Sequence, residues 1–243
     1  MNKTICRFYA YLYPKLIEID MKIKVIITGA TGLVGEGVLL ECLEHPNVEE
    51  VLMVNRKPYL LKHPKLKECL VSDFLNLEIY SAQLSGYNAC FYCAGISSRG
   101  LNEEAYSHIT YDITLHFAKK ILDLNPELIF GFISGSHTDA SGKIMWAKVK
   151  GKTENALMEL PFKKEYNFRP GLMKPTAGQK NIKGYYKIIS GLYPVFHFLF
   201  PNQTSTLKQV GLAMINSVLK GYPKQILEIQ DIKLLAAETV KKH

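Results

Sequence analysis

The chain has 243 residues, 47% of them hydrophobic and 21% charged, and a net charge of +8. These are ordinary values for a globular protein, and the length suffices to bury a full core as one large domain. No run reaches the ~18 apolar residues that a membrane span requires.

Residues 1–20 precede the first recognisable element and read as an extension outside the fold, with Met21 a natural start for the folded part. They lack the apolar core and small-residue cleavage site of a signal peptide. The first strand is the β-branched run Ile23–Ile27, and Thr28-Gly29-Ala30-Thr31-Gly32-Leu33-Val34-Gly35 comes directly after it. Apolar residues then recur with helical spacing through Val38, Leu39, Leu40 and Leu43. Strand, glycine-rich turn and helix in that order form a cradle for a dinucleotide diphosphate. Gly29 permits the turn, Gly32 lets the backbone approach the phosphates and Gly35 lets helix and strand pack closely. The amides from Thr31 to Gly35 and the helix dipole then face the anion.

A second strand, Val48 to Val54, ends in Asn55-Arg56-Lys57. The usual fingerprint has a carboxylate there for the ribose hydroxyls; Arg56 can instead pair with a 2′-phosphate, which favours NADP, with NAD the other option. After a third strand, Lys67 to Val71, Asp73-Phe74 stands where a side chain can meet adenine. A helix or turn from Leu75 to Leu84 leads to a fourth strand, Asn88 to Cys93, whose Cys93-Ala94-Gly95 end is small enough for close approach of the cofactor. Cys90 and Cys93 fall on opposite faces of that strand, so neither a redox pair nor a metal clip is expected, and no metal site is read. Five cysteines, an odd and scattered count, fit a reducing compartment, and the cytoplasm is expected.

A long helix runs from Asn102 to Leu124, a fifth strand from Leu128 to Ser134, a helix from Ile144 to Leu160 and a sixth strand from Tyr166 to Arg169. Beyond Pro170, Ile188 to Phe200 is interrupted by Gly191, Pro194 and His197 and reads as buried or pocket-lining, with contact to a membrane surface the lesser reading. Tyr185, Tyr186, Tyr193, Phe196 and Phe198 could wall an apolar pocket there. Thr204-Ser205-Thr206 reads as the N-cap of a helix over Leu207 to Leu219. The alternation predicts an α/β fold: a Rossmann-type doubly wound parallel sheet over 21–243 in one domain, with a small C-terminal substrate lobe from about residue 171. Ligands of such sheets bind at the carboxyl ends of the strands, where strand order reverses. Between Lys143 and Lys187 eleven Lys or Arg face three acids, which suits an anionic ligand, although solvated surface lysines explain it equally. No aromatic-interleaved basic motif supports nucleic acid as a partner.

Taken together, TGATGLVG, Asn55-Arg56, Ser72-Asp73-Phe74, Cys93-Ala94-Gly95, Ser134-Gly135-Ser136, Val149-Lys150-Gly151-Lys152-Thr153-Glu154 and Phe168-Arg169-Pro170-Gly171 resemble the atypical and extended short-chain dehydrogenases. The resemblance is to the Tat-interacting-protein-like oxidoreductases in particular, within the NAD-dependent epimerase/dehydratase type. It implies bound NAD(P), hydride transfer at a carbonyl or alcohol carbon, and Arg169-Pro170 lining the nicotinamide end. It also implies a lysine that holds the nicotinamide ribose, matched by Lys150, and a serine that bonds the substrate oxygen, matched best by Ser136 and next by Ser134. The family's proton-relaying tyrosine, four residues before the lysine, is here Trp146, and an indole is neither a practical acid nor a base. Thr110 stands near the family's helix asparagine. Tyr111 and His137 are conceivable substitutes, each more simply read as a packing or loop residue.

Two functions fit these residues. One is an NADP-dependent oxidoreductase or epimerase-like enzyme on a small carbonyl or sugar-type substrate; the other, motivated by Trp146, is a non-catalytic NADPH-sensing protein. A homodimer is compatible with either. Hydrolysis by Ser134 or Ser136 with His137 is a weak third reading, because no G-x-S-x-G elbow is present.

Overall fold

The computed structural model describes residues 21–180, 182 and 184–238; the expected extension, 1–20, lies outside them. The first six strands are β1 (Ile23–Thr28), β2 (Val48–Asn55), β3 (Leu66–Leu70), β4 (Ala89–Tyr92), β5 (Ile129–Ile133) and β6 (Lys164–Phe168). Between them lie α1 (Leu33–Glu44), a one-turn α2 (Ser81–Leu84), α3 (Glu103–Ser107), α4 (Ile113–Leu124) and α5 (Met145–Met158). After β6 come β7 (Leu172–Lys174), α6 (Gly184–Leu199), β8 (Thr204–Thr206), α7 (Leu207–Lys220), β9 (Ile226–Leu227) and α8 (Ile229–Ala237).

Seven strands form one sheet in the order β3-β2-β1-β4-β5-β6-β9, every neighbouring pair parallel, and β7 pairs with β8 in a small sheet of its own. Strand order reverses between β1 and β4, so the crevice expected for a ligand opens beyond Thr28 and Tyr92. This is the Rossmann-type arrangement that the alternating pattern predicts. Period-two alternation divides the core. Val25, Ile27, Met53 and Phe91 pack with Val38, Leu39 and Cys42 of α1 and with Val210, Ala213 and Met214 of α7. Ile26, Leu52, Val54, Cys90 and Phe132 pack with Phe117, Ala118 and Ile121 of α4 and Leu157 of α5. Cys90 thus sits in one layer while Cys93 packs against the other, as the strand register requires.

Three features depart from the pattern. The helix expected from Asn102 to Leu124 widens into a π turn at His108–Asp112, where the Thr110 carbonyl accepts the Thr153 hydroxyl of α5 at 3.3 Å. The chain beyond Gly171 forms β7 and β8, but α7 then covers α1's side of the sheet and β9 extends the sheet beside β6. The expectation that Ile188 to Phe200 is buried fails over its described part: Val195, Phe196, Phe198, Leu199 and Phe200 are all exposed. Of the five aromatics expected to wall a pocket, Tyr193 is buried, Phe196 and Phe198 are not, and the side chains of Tyr185 and Tyr186 lie outside the described residues. The helix touches the body along Tyr193 and His197, which bond Ser205 O and Thr204 Oγ1 at 2.9 and 2.7 Å. Among the described residues no helix is long and apolar enough to cross a membrane.

The α1–α7 contact is made close by glycine. A Cβ on Gly211 would stand 2.8 Å from Cβ and Cγ of Glu41, and one on Gly37 would stand 2.8 Å from Cβ of Leu207. Thr206 caps α7 in a reciprocal box with Gln209, fixing where that helix starts. Replacing Gly211 with Leu should push α7 off α1 and lower unfolding stability by about 1–3 kcal/mol. A urea midpoint unchanged from wild type would refute the close approach.

Candidate dinucleotide and catalytic site

The site is built where β1 and β4 end. Gly29 has φ +67°, in the left-handed region, and a Cβ there would lie 2.6 Å from the Ala94 main chain. Thr28 Oγ1 accepts the Ala94 amide at 3.2 Å, latching the two strand ends together. A Cβ on Gly35 would reach 2.2 Å from the Gly29 carbonyl oxygen, so α1 can start hard against the turn only because that residue is glycine. Gly32 is the N-cap of α1 and supplies no side-chain cap, whereas Asn102, Thr206 and Glu228 cap α3, α7 and α8. The first-turn amides of a helix have no intrahelical partner, so those of α1 face an exposed rim at Thr31 and Gly32. Across the crevice, a Cβ on Gly95 would meet nothing within 4 Å. Main chain pressed close on one side and open space on the other fit a dinucleotide diphosphate.

Around this cradle, Asn55 ends β2 buried, and Arg56 is exposed with no ion pair among the described residues. Asp73 Oδ1 accepts the Leu75 amide in a local turn, and Phe74 leans on Phe117, ring centroids 5.6 Å apart. Sequence reasoning missed Glu36. It is buried in the first turn of α1, and its Oε1 accepts the Tyr59 hydroxyl at 2.6 Å and the Lys180 amide at 2.8 Å. Gln179 Nε2 donates to the Leu33 carbonyl at 2.7 Å, so the segment after β7 lies along the same turn. The signal available was an acid in a helix first turn, which ordinarily marks only a favourable dipole contact.

The second half of the site stands at the end of β5. Lys150 on α5 donates to the Ile133 carbonyl at 3.0 Å and lies 5.0 Å from the Phe132 ring centroid. Burial pushes its ammonium down to about 8, although Glu154 one turn on pulls the other way. The Trp146 ring packs on Gly135, 3.1 Å from where a Cβ would be. Ser134 is buried and shares a 3.1 Å hydrogen bond with Thr138, while Ser136 is half-buried on the loop beyond. His137, next to it, is exposed with φ +66°, an uncommon conformation for a side-chain-bearing residue. Tyr111 faces the other way. It shares a shallow surface hollow with Lys152, Asn155 and Glu159, and residues 150 and 152 point about 200° apart around α5.

Arg169 closes β6. Its Nε and Nη2 bind Glu154 at 2.9 and 2.5 Å, its Nη1 binds Glu228 at 2.9 Å, and its amide donates to the Leu227 carbonyl. The guanidinium therefore ties α5, β6 and the start of α8 together, and the Pro170 carbonyl accepts the Ser205 hydroxyl at 2.6 Å. Below the pair, Glu165 is buried, accepts only from Asn167 Nδ2 at 2.9 Å and has an unpartnered Oε1. Burial first, and Glu154 second, push its carboxyl up to about 9. The folded state thus keeps a proton that the unfolded chain releases from about pH 4.5, so this site's contribution to stability is present at low pH and is lost as pH rises towards 9. Glu165→Gln should flatten that decline, which thermal unfolding of both proteins from pH 5 to 9 would show; parallel curves would contradict the raised pKa.

Residues 25–138 match the model of the NAD dependent epimerase/dehydratase family. Protein HTATIP2 of Rattus norvegicus is 26% identical over 151 residues, covering 61% of this chain and 62% of that protein. The match thus spans about three-fifths of that relative's length. The mitochondrial protein fmp52 of Emericella nidulans is 26% identical over 163 residues, 64% of this chain and 68% of its own. Among solved structures, MoeE5 in complex with UDP-glucose and NAD superposes with TM-score 0.60 at 15% identity, over 88% of this chain and 81% of that one. The Bordetella bronchiseptica enzyme WbmF in complex with NAD+ gives TM-score 0.60 at 14% identity, over 90% and 78%. At such identities the superpositions speak for the fold, and the likeness to the NAD dependent epimerase/dehydratase family rests on the glycine turn and the crossovers around it, within residues 25–138.

Proposed function

We propose that the chain binds NADP(H) in preference to NAD(H) and acts as an oxidoreductase or epimerase-type enzyme on a small carbonyl or sugar-type substrate. The observation that carries this reading is the cradle at the strand-order reversal, with Gly29 seated on Ala94 beside an uncapped helix start. Amides of Thr31 and of Leu33 to Gly35 would hold the diphosphate, the Gly32 amide closing the turn on the Gly29 carbonyl at 2.8 Å; Asp73 and Phe74 would border the adenine, and Cys93-Ala94-Gly95 with the main chain of Arg169-Pro170 would border the nicotinamide half. Arg56 supports the 2′-phosphate, because it is exposed, has no ion pair among the described residues and comes after a neutral Asn55 in the usual carboxylate's place. The NAD-bound structural neighbours support the dinucleotide itself; the added phosphate rests on Arg56 alone.

A bound nicotinamide supplies or accepts hydride. The chain's own task is the accompanying proton, which the indole of Trp146 cannot carry. Lys150 supports that role, since an ammonium with a pKa of about 8 can yield a proton near neutrality while still reaching a ribose. Ser136 is the group proposed to hold the substrate oxygen. Trp146 also supports a second reading, in which the protein senses NADPH without turning it over.

Calorimetric titration separates these readings. NADPH should bind roughly tenfold or more tightly than NADH, the worth of one charge-assisted contact, and Arg56→Ala should bring the two together; equal wild-type affinities would remove the NADP preference. With a carbonyl substrate, kcat/KM for reduction should fall above pH ~8 as Lys150 loses its proton, and Lys150→Met should abolish turnover. Tight NADPH binding with no turnover on a broad carbonyl and sugar-nucleotide panel would select the sensor. The mitochondrial names of the fungal relatives do not favour the cytoplasmic placement expected from cysteine usage, and the free cysteines fit any reducing compartment.

A further inference from the structure

The C-terminal end of α6 reverses the usual pattern of a surface helix. With successive residues about 100° apart, Tyr193 and His197 define the line that meets the protein. Val195 and Leu199 then point directly away, and Phe196 and Phe198 flank them on either side. Their relative exposures are 57% for Val195, 60% for Leu199, 41% for Phe196 and 86% for Phe198, and Phe200 comes next at 48%. The whole outward arc is apolar, where an ordinary surface helix carries polar side chains. It is tied to the body by the Tyr193 and His197 hydrogen bonds to Ser205 and Thr204.

The sequence on either side of it carries charge of one sign. From residue 166 to residue 227 there is no Asp or Glu, against eight cations: Arg169, Lys174, Lys180, Lys183, Lys187, Lys208, Lys220 and Lys224. Two ammonium groups stand at the exposed helix end. Lys174 Nζ lies 5.7 Å from the Tyr193 ring centroid, and Lys233 Nζ donates to the Pro201 carbonyl at 2.6 Å. Arg169, Lys220 and Lys224 are paired with acids from outside this stretch, so Lys174 and Lys233 are the cations that bear on the arc, and a second copy seated there would add its own two to them. A sheet of anionic headgroups would neutralise them while the apolar arc enters the acyl boundary.

We propose that the arc formed by Val195, Phe196, Phe198, Leu199 and Phe200 docks on the surface of an anionic phospholipid bilayer, with Lys174 and Lys233 engaging the headgroups. The protein lies on the membrane without crossing it, and the docking is independent of the dinucleotide site.

The test is flotation of the full chain with phosphatidylcholine vesicles, with and without phosphatidylserine. Wild type should float with the serine-containing vesicles, weakly or not at all with phosphatidylcholine alone, and less as salt rises. Phe198→Ser with Leu199→Ser should weaken binding at least about tenfold, as expected for an inserted apolar face. Lys174→Gln with Lys233→Gln should weaken it on anionic vesicles only. Phe198, Leu199 and Lys174 are exposed and Lys233 is half-buried, and unchanged circular dichroism and unfolding midpoint would confirm that the variants fold. Failure of wild type to bind anionic vesicles, or equal binding by the Phe198/Leu199 variant, overturns the proposal. So does a concentration-dependent dimer abolished by that variant, which would assign the face to a second copy.

Discussion

Where β1 gives way to α1, two main chains come nearer than any side chain would allow. Gly29 rests on Ala94, and Gly35 rests in turn on the Gly29 carbonyl. A Cβ at either glycine would have to occupy space already held by backbone, which cannot rotate aside as a side chain can. The start of α1 is therefore fixed to the ends of β1 and β4 together, and the Thr28 hydroxyl adds a hydrogen bond across the same seam. Everything proposed for the phosphates depends on that contact, because amides bind an anion well only if they are aimed before it arrives.

The other end of the site is organised by charge. Arg169 and Glu154 form a two-point ion pair at the end of β6, and Glu228 adds a third point from the start of α8. Such a buried pair is costly to desolvate and costlier to break, so its value lies in fixing how α5, β6 and α8 sit together. Lys150 projects from the helix that this arrangement holds. Its lowered pKa and the raised pKa of Glu165 share a cause, removal from water, and both shifts run towards the neutral form for that reason.

Much of this architecture is legible in the sequence because it is local. The apolar β-branched run at Ile23 and the glycines after it encode the strand, turn and helix within about twenty residues, and period-two alternation places Cys90 and Cys93 on opposite faces. The π turn at His108–Asp112 is not legible, since the Thr110 carbonyl finds its partner forty-three residues away on α5. Glu165 escapes notice because a buried acid breaks the apolar pattern by which strands are recognised, and that pattern starts the strand one residue after it. The end of α6 misleads in the opposite direction. An all-round apolar helix reads as core, and only the fold reveals that one narrow line of it is covered.

Glu36 gives the cradle a further property. One carboxylate oxygen in the first turn of α1 receives both the Tyr59 hydroxyl, from the loop that carries Arg56, and the Lys180 amide, from the stretch leading towards α6. Three stretches of chain far apart in sequence thus converge on a single acceptor atom. Movement of either loop changes the hydrogen bonding of the same oxygen, so the loop after β2 and the stretch leading towards α6 are mechanically joined at this one point.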